Sequence, residues 1–218
     1  MLIFLDTEFT QLDFEAKLIS VGLVSEDGGE FYAELADTYQ VKECGDFTRE
    51  VVLPLLEGGK ALIPMNTLTK RLKGWLESFG EPMPLATDSL AWDWKWVQVI
   101  FNDLATWPVN LDRQPFLLTM NYVENYDAFW QTVEQAFANE ALRQHHALDD
   151  AKANRLGWIA SKREGGVRSM TVILFFGLRW CDASGPEFWG ERVLPAAIDR
   201  GGSFRTSRRQ NCYQQFLA

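Results

Sequence analysis

Leu2-Ile3-Phe4-Leu5-Asp6-Thr7-Glu8-Phe9 opens the chain, and the fold turns on how this stretch is read. Four consecutive apolar residues describe a strand covered on both faces, which is the situation of an interior strand. Asp6 arrives where that strand should be ending. Glu8 follows at the two-residue strand period, so both carboxylates project from one side. Two acids on one face beside a buried strand repel unless a cation sits between them. An all-oxygen surrounding suits a hard divalent ion such as Mg²⁺. Asp-x-Glu is common, however, and an ordinary strand end whose acids dissolve into solvent accounts for it equally well. The rest of the chain has to decide.

Working outward, residues 17–25 are rich in strand formers and residues 30–35 alternate in polarity. Glu26-Asp27-Gly28-Gly29 supplies a turn between them, so the two runs form an antiparallel hairpin and, with the first strand, a meander. Residues 47–56 read as a short helix or turn that Pro54 ends or bends. Asn66 or Thr67 is placed to cap a helix running to Phe79, with Leu68, Leu72, Trp75, Leu76 and Phe79 along one stripe. A fourth strand is expected over 83–87, a helix over 92–104 and a fifth strand over 114–120. A helix follows over 124–139, with Phe129, Trp130, Val133, Ala136 and Phe137 inward. The last spans 149–162, with Ala151, Leu156, Trp158 and Ile159 available for packing. Alternating helices and strands indicate an α/β class. Three strands followed by that alternation is the order of a ribonuclease-H-like fold.

At 218 residues and 47% hydrophobic, the chain can bury a full core, most simply as one domain with an appendage. Met1 leads directly into the first strand with no basic leader, and the longest late apolar run, 171–178, is far too short to span a bilayer. No membrane association is therefore expected. Cys44, Cys181 and Cys212 form no CxxC pair, which speaks against a zinc knuckle or a disulfide scaffold and for a reduced, cytoplasmic protein. A net charge of −9 argues against loose binding of nucleic acid over the whole surface. The charge is uneven: residues 162–218 carry a net +4, and residues 1–161 a net −13. A carboxylate-metal site fed by a local phosphate-binding surface fits that division, and so does a solvated tail.

Both histidines of the chain fall in Gln144-His145-His146-Ala147-Leu148-Asp149-Asp150-Ala151. An aspartate opening a helix can ligate a metal, while a histidine on the preceding loop leans over the same site. Imidazole titrates near neutrality and can take a proton from an attacking water. A third acid comes from Leu85-Ala86-Thr87-Asp88-Ser89-Leu90-Ala91-Trp92-Asp93-Trp94. Asp93 opens a helix behind a buried aromatic residue, whereas Asp88 ends a strand and could cap the turn instead.

In order, Asp6 and Glu8 in FLDTEF, Asp93 in AWDWKW, and His145 with Asp150 in HHALDDA resemble the DEDDh family of 3′–5′ exonucleases. SVGLVSEDGGEFYAEL and VVLPLLE look like its bacterial and phage exoribonuclease subgroup. The resemblance covers roughly residues 1–160. It implies a ribonuclease-H-like (DnaQ-like exonuclease) fold, with a mixed sheet flanked by helices over 1–164 and a C-terminal extension of unassigned role over 165–218.

It also implies a two-metal phosphodiesterase that releases nucleoside 5′-monophosphates from the 3′ end of single-stranded RNA. Asp6, Glu8, Asp93 and Asp150 would hold two Mg²⁺ or Mn²⁺ ions, Asp6 bridging them, and His145 would deprotonate or orient the water. Thr7 and Phe9 would contact the terminal nucleotide, through backbone and by stacking respectively, although Phe9 serves equally as core packing. The same chemistry on DNA is the nearest alternative, since no residue recognisably reads a 2′-hydroxyl. A non-catalytic nucleic-acid binder is a third reading, disfavoured because clustered acids beside phosphate gain a mere binder nothing. The extension would add salt-dependent phosphate contacts through Arg205, Arg208 and Arg209, or else form a homodimer contact.

Overall fold

Strand β1 (Ile3–Phe9) lies inside a six-stranded sheet, as its unbroken apolar run requires. The structure, a computed structural model, describes residues 1–163 other than Leu104. The C-terminal extension expected over 165–218, with its arginines, lies outside the described residues. On one side β1 pairs antiparallel with β2 (Leu18–Ser25), which pairs with β3 (Glu30–Leu35), so the expected meander is present. On the other side β1 runs parallel to β5 (Leu85–Thr87), and β5 to β6 (Phe116–Leu117). Strand β4 (Leu62–Ile63) extends the far edge parallel to β3, giving the order β4-β3-β2-β1-β5-β6. The sheet is mixed and the class is α/β.

Alternation along β1 sorts the residues into two cores. Ile3 and Leu5 face the layer containing helices α1 (Met65–Glu77) and α2 (Lys95–Ile100), against Leu68, Leu72, Leu76 and Val97. Phe4 faces the opposite layer, where helices α3 (Tyr126–Ala138) and α4 (Ala147–Arg163) contribute Phe129, Val133, Ala151 and Trp158. The sheet is thus sandwiched between two helical layers.

Several boundaries differ from the sequence reading for identifiable reasons. Helix α1 is not capped by Asn66 or Thr67: it starts one residue after Pro64, and Asp37 accepts the Met65 N–H at 2.9 Å. The expected helix over 92–104 is a wide π-type turn (Leu90–Trp94) continued by α2, after which Asp103 and Thr106 close a turn. The strand over 114–120 shrinks to two residues, because Pro115 offers no N–H to the ladder and the amides of Tyr122 and Val123 fold back onto the Thr119 carbonyl. In α4, Leu156 faces outward, whereas Trp158 is buried. In α3, Trp130 and Phe137 lie half-buried at the margin of the core rather than in it.

Candidate metal centre

The same alternation puts Asp6 and Glu8 on the face of Phe4, toward α4. Their direct neighbours on β2 are Gly22 and Ser20. Gly22 is decisive. A Cβ there would lie 2.2 Å from the Leu148 nitrogen and 2.3 Å from the Ala147 carbonyl carbon, so only glycine lets the start of α4 rest on the sheet. That contact carries Asp150, in the first turn of α4, up to Asp6. A glycine inside an otherwise bulky strand was the available sequence signal for this close approach.

Asp93 arrives from the other layer, around the end of the sheet. Its Oδ1 accepts the Thr7 amide N–H at 3.2 Å and the Thr7 hydroxyl at 2.7 Å, and its Oδ2 accepts the Thr87 hydroxyl at 2.6 Å. Thr87 in turn accepts the Ser89 N–H at 2.9 Å, tightening the turn that presents Asp93. Ligand atoms of Asp6, Asp88 and Asp93 lie within 4.8 Å of one another, and those of Glu8, His145 and Asp150 likewise. Three separate segments therefore converge at the carboxyl ends of β1 and β5. There the chain departs to both sides of β1, the usual location of a ligand crevice in open α/β sheets.

Burial, followed by the charges of Asp150, Asp93, Glu8 and Asp88, pushes the Asp6 carboxyl well above the ordinary range. Asp93 is pushed up to about 7 by burial and by Asp88, against the lowering effect of its threonine hydrogen bonds. Such carboxylates are costly to ionise in isolation and favourable to ionise around a dication. The carboxylate-rich donor set is of the kind that hard divalent cations take. These acidic groups could hold a metal ion.

The two adjacent histidines separate cleanly. His145 is half-buried beside Glu8 and Asp150, in the left-handed region (φ 68°), with its amide donating to Asp150 Oδ2 at 3.1 Å. The exposed ring of Phe47 stands edge-on to it at 4.9 Å. His146 turns the other way and is buried against Tyr32, ring centroids 4.6 Å apart. Burial and then Arg143 hold its imidazole below the ordinary value. The adjacent acids separate as well. Asp149 accepts the Arg143 backbone N–H and Nε at 3.1 and 2.6 Å, and so is occupied away from Asp6.

Neither a protein-family model nor a curated protein matches this chain. The geometry has to carry the functional reading.

Of the residues singled out in sequence, Asp6, Glu8, Asp93, His145 and Asp150 come together. Thr7 is turned inward with both its amide and its hydroxyl engaged by Asp93. Phe9 is half-buried and stacks on Trp92 at 5.6 Å and 18°. Asp88, weighed against Asp93 in sequence, lies in the same group of acids. Sequence reasoning passed over Gly22, on which α4 rests, and Thr87, which bonds Asp93, as well as Arg143 and Tyr32, which hold the neighbouring Asp149 and His146. None of the described helices is long and apolar enough to cross a membrane.

Proposed function

We propose that this chain is a divalent-metal-dependent 3′–5′ exoribonuclease of ribonuclease-H-like fold, acting on single-stranded RNA. The observation that carries the reading is the convergence of Asp6 and Glu8, Asp93, and Asp150 with His145 from three distant segments at the carboxyl ends of the interior strands β1 and β5. Structural acids would be spread over caps and turns. These are packed until Asp6 and Asp93 resist ionisation, a cost that a bound cation offsets.

Asp6, Glu8, Asp93 and Asp150 would hold Mg²⁺ or Mn²⁺. Bound there, the ions would supply charge compensation for a phosphodiester and lower the pKa of a water. The chain's own contributions are separate. Thr7 and Thr87 fix the Asp93 carboxylate, Gly22 fixes Asp150, and His145 is placed to take the proton of the attacking water. The stacked Phe9–Trp92 pair offers an aromatic face next to the acids for the terminal base.

The test is cleavage of 5′-labelled single-stranded RNA and DNA of matched sequence, with Mg²⁺ or Mn²⁺ and with EDTA. A ladder shortening stepwise from the 3′ end of RNA, abolished by EDTA, is expected. Laddering of DNA alone would reassign the sugar preference, and no cleavage of either would end the proposal.

A further inference from the structure

Arg143 is an exposed residue outside the acid cluster, yet it contacts Asp149, Glu57 and His146 on three sides of the histidine loop. Its Nε and backbone N–H both donate to Asp149 Oδ2, closing residues 143–149 into a ring at the start of α4. Its Nη2 lies 3.2 Å from Glu57 Oε1 and 3.4 Å from His146 Nδ1. His146 is itself wedged against Tyr32, with its Nε2 3.6 Å from Glu57. Glu57 in turn is anchored to the sheet: the buried Glu34 on β3 accepts the amides of Glu57 and Gly58 and the Tyr32 hydroxyl. A chain of polar contacts thus runs from β3 through Glu57 and Arg143 to the first turn of α4. His145 sits at its end in the left-handed backbone region, which is uncommon for residues other than glycine.

We infer that Arg143 is a positioning residue: by forking between Asp149 and Glu57 it locks the 143–149 loop to the sheet and holds His145 over Glu8 and Asp150. The loop is therefore fastened to the sheet at both its ends. Lysine could carry the charge at 143 but not the planar fork that reaches two carboxylates at once. The inference rests on the nuclease reading for its effect on turnover and on geometry alone for its effect on His145.

The experiment compares wild type, Arg143→Ala and Arg143→Lys on 5′-labelled single-stranded RNA at saturating Mn²⁺, with Mn²⁺ affinity and melting temperature measured alongside. In both variants kcat should fall roughly 10–100-fold, the usual effect of losing an outer-shell partner. KM and Mn²⁺ affinity should stay within about twofold, since every ligand is left in place. Full activity in Arg143→Lys, or a kcat loss matched by equal loss of Mn²⁺ affinity, would overturn the inference. If wild type does not cleave, the nuclease reading alone has failed, and the two histidines give a second readout. In ¹³C-histidine-labelled protein, the Cε1–H signal of His145, assigned by its loss in His145→Ala, should shift or broaden in Arg143→Ala. An unmoved signal overturns the inference whatever the activity.

Discussion

Asp93 and Asp149 both stand in the first turn of a helical segment and both are buried, Asp93 accepting three hydrogen bonds and Asp149 two, yet their chemistry is opposite. Asp93 is held by neutral hydroxyls and an amide, from Thr7 and Thr87, and its carboxyl is pushed up to about 7. Asp149 is held by a guanidinium: burial pushes its carboxyl up, but the Arg143 hydrogen bonds and the charges of His146 and Arg143 together hold it below the ordinary value. Neutral donors orient a carboxylate without satisfying its charge, and so leave it ready for a cation. A fixed cation satisfies the charge and removes the residue from that chemistry. The partner, more than the position in the helix, separates a carboxylate open to a cation from one already paired.

Substitution at the two positions should break the resemblance between them. Asp93→Asn should reduce RNA cleavage to background, while raising the metal-free melting temperature at pH 7 to 8, because one of several crowded acids is gone. Asp149→Asn should lower activity less, by roughly 10–100-fold, and move the melting temperature the opposite way, downward, since Arg143 loses its anionic partner. Activity assays and thermal melts on the same preparations check both signs.

Gly22→Ala carries the next largest effect. Its Cβ cannot fit against the backbone of Ala147 and Leu148, so α4 must lift from the sheet. Overpacking of this kind costs about 1–3 kcal/mol and sometimes more. Denaturant unfolding should show a loss of at least that size, and Mn²⁺ affinity should fall because Asp150 moves with the helix. A conservative loss without weakened Mn²⁺ binding would separate the packing role of Gly22 from the metal centre.

A smaller effect follows from pH. The folded Asp93 keeps its proton up to about 7, whereas the unfolded chain loses it near 3.8. Its contribution to stability is complete below the unfolded value and is lost as pH rises between the two, because the folded state binds more protons there. Asp6 shifts in the same direction. The metal-free protein should therefore melt at lower temperature at pH 7.5 than at pH 5.5, and added Mg²⁺ or Mn²⁺ should stabilise it more at the higher pH. A metal-free melting temperature that climbs over this interval would contradict the crowding of the acids.

Much of the fold was legible because it rests on long periodic segments. The continuous apolar run before Asp6, the hairpin around Glu26-Asp27-Gly28-Gly29 and the stripe Leu68, Leu72, Leu76 each carry enough residues to fix an element. Strand β4 was missed because two residues, Leu62 and Ile63, display no period. The α1 cap was misassigned because Asp37 reaches Met65 from 28 residues away, a tertiary contact that no local pattern records. At the site, Asp6 and Glu8 stood out by their strand spacing, and Asp93, His145 and Asp150 through the resemblance of three motifs taken in order. The residues that place them did not: Thr87 and Arg143 matter only through partners in the folded chain, and Gly22 only through what rests on it.

Whether the converging acids bind divalent ions is the point on which all of this depends. The most direct measurement is a Mn²⁺ titration of the metal-free protein followed by electron paramagnetic resonance, with Asp6→Asn in parallel. The expected result is two ions bound per chain, with a spin-coupled signal in wild type that is lost in Asp6→Asn, since a neutral amide cannot bridge two dications. Free Mn²⁺ undiminished by wild-type protein at millimolar metal, or identical binding in wild type and Asp6→Asn, would contradict it.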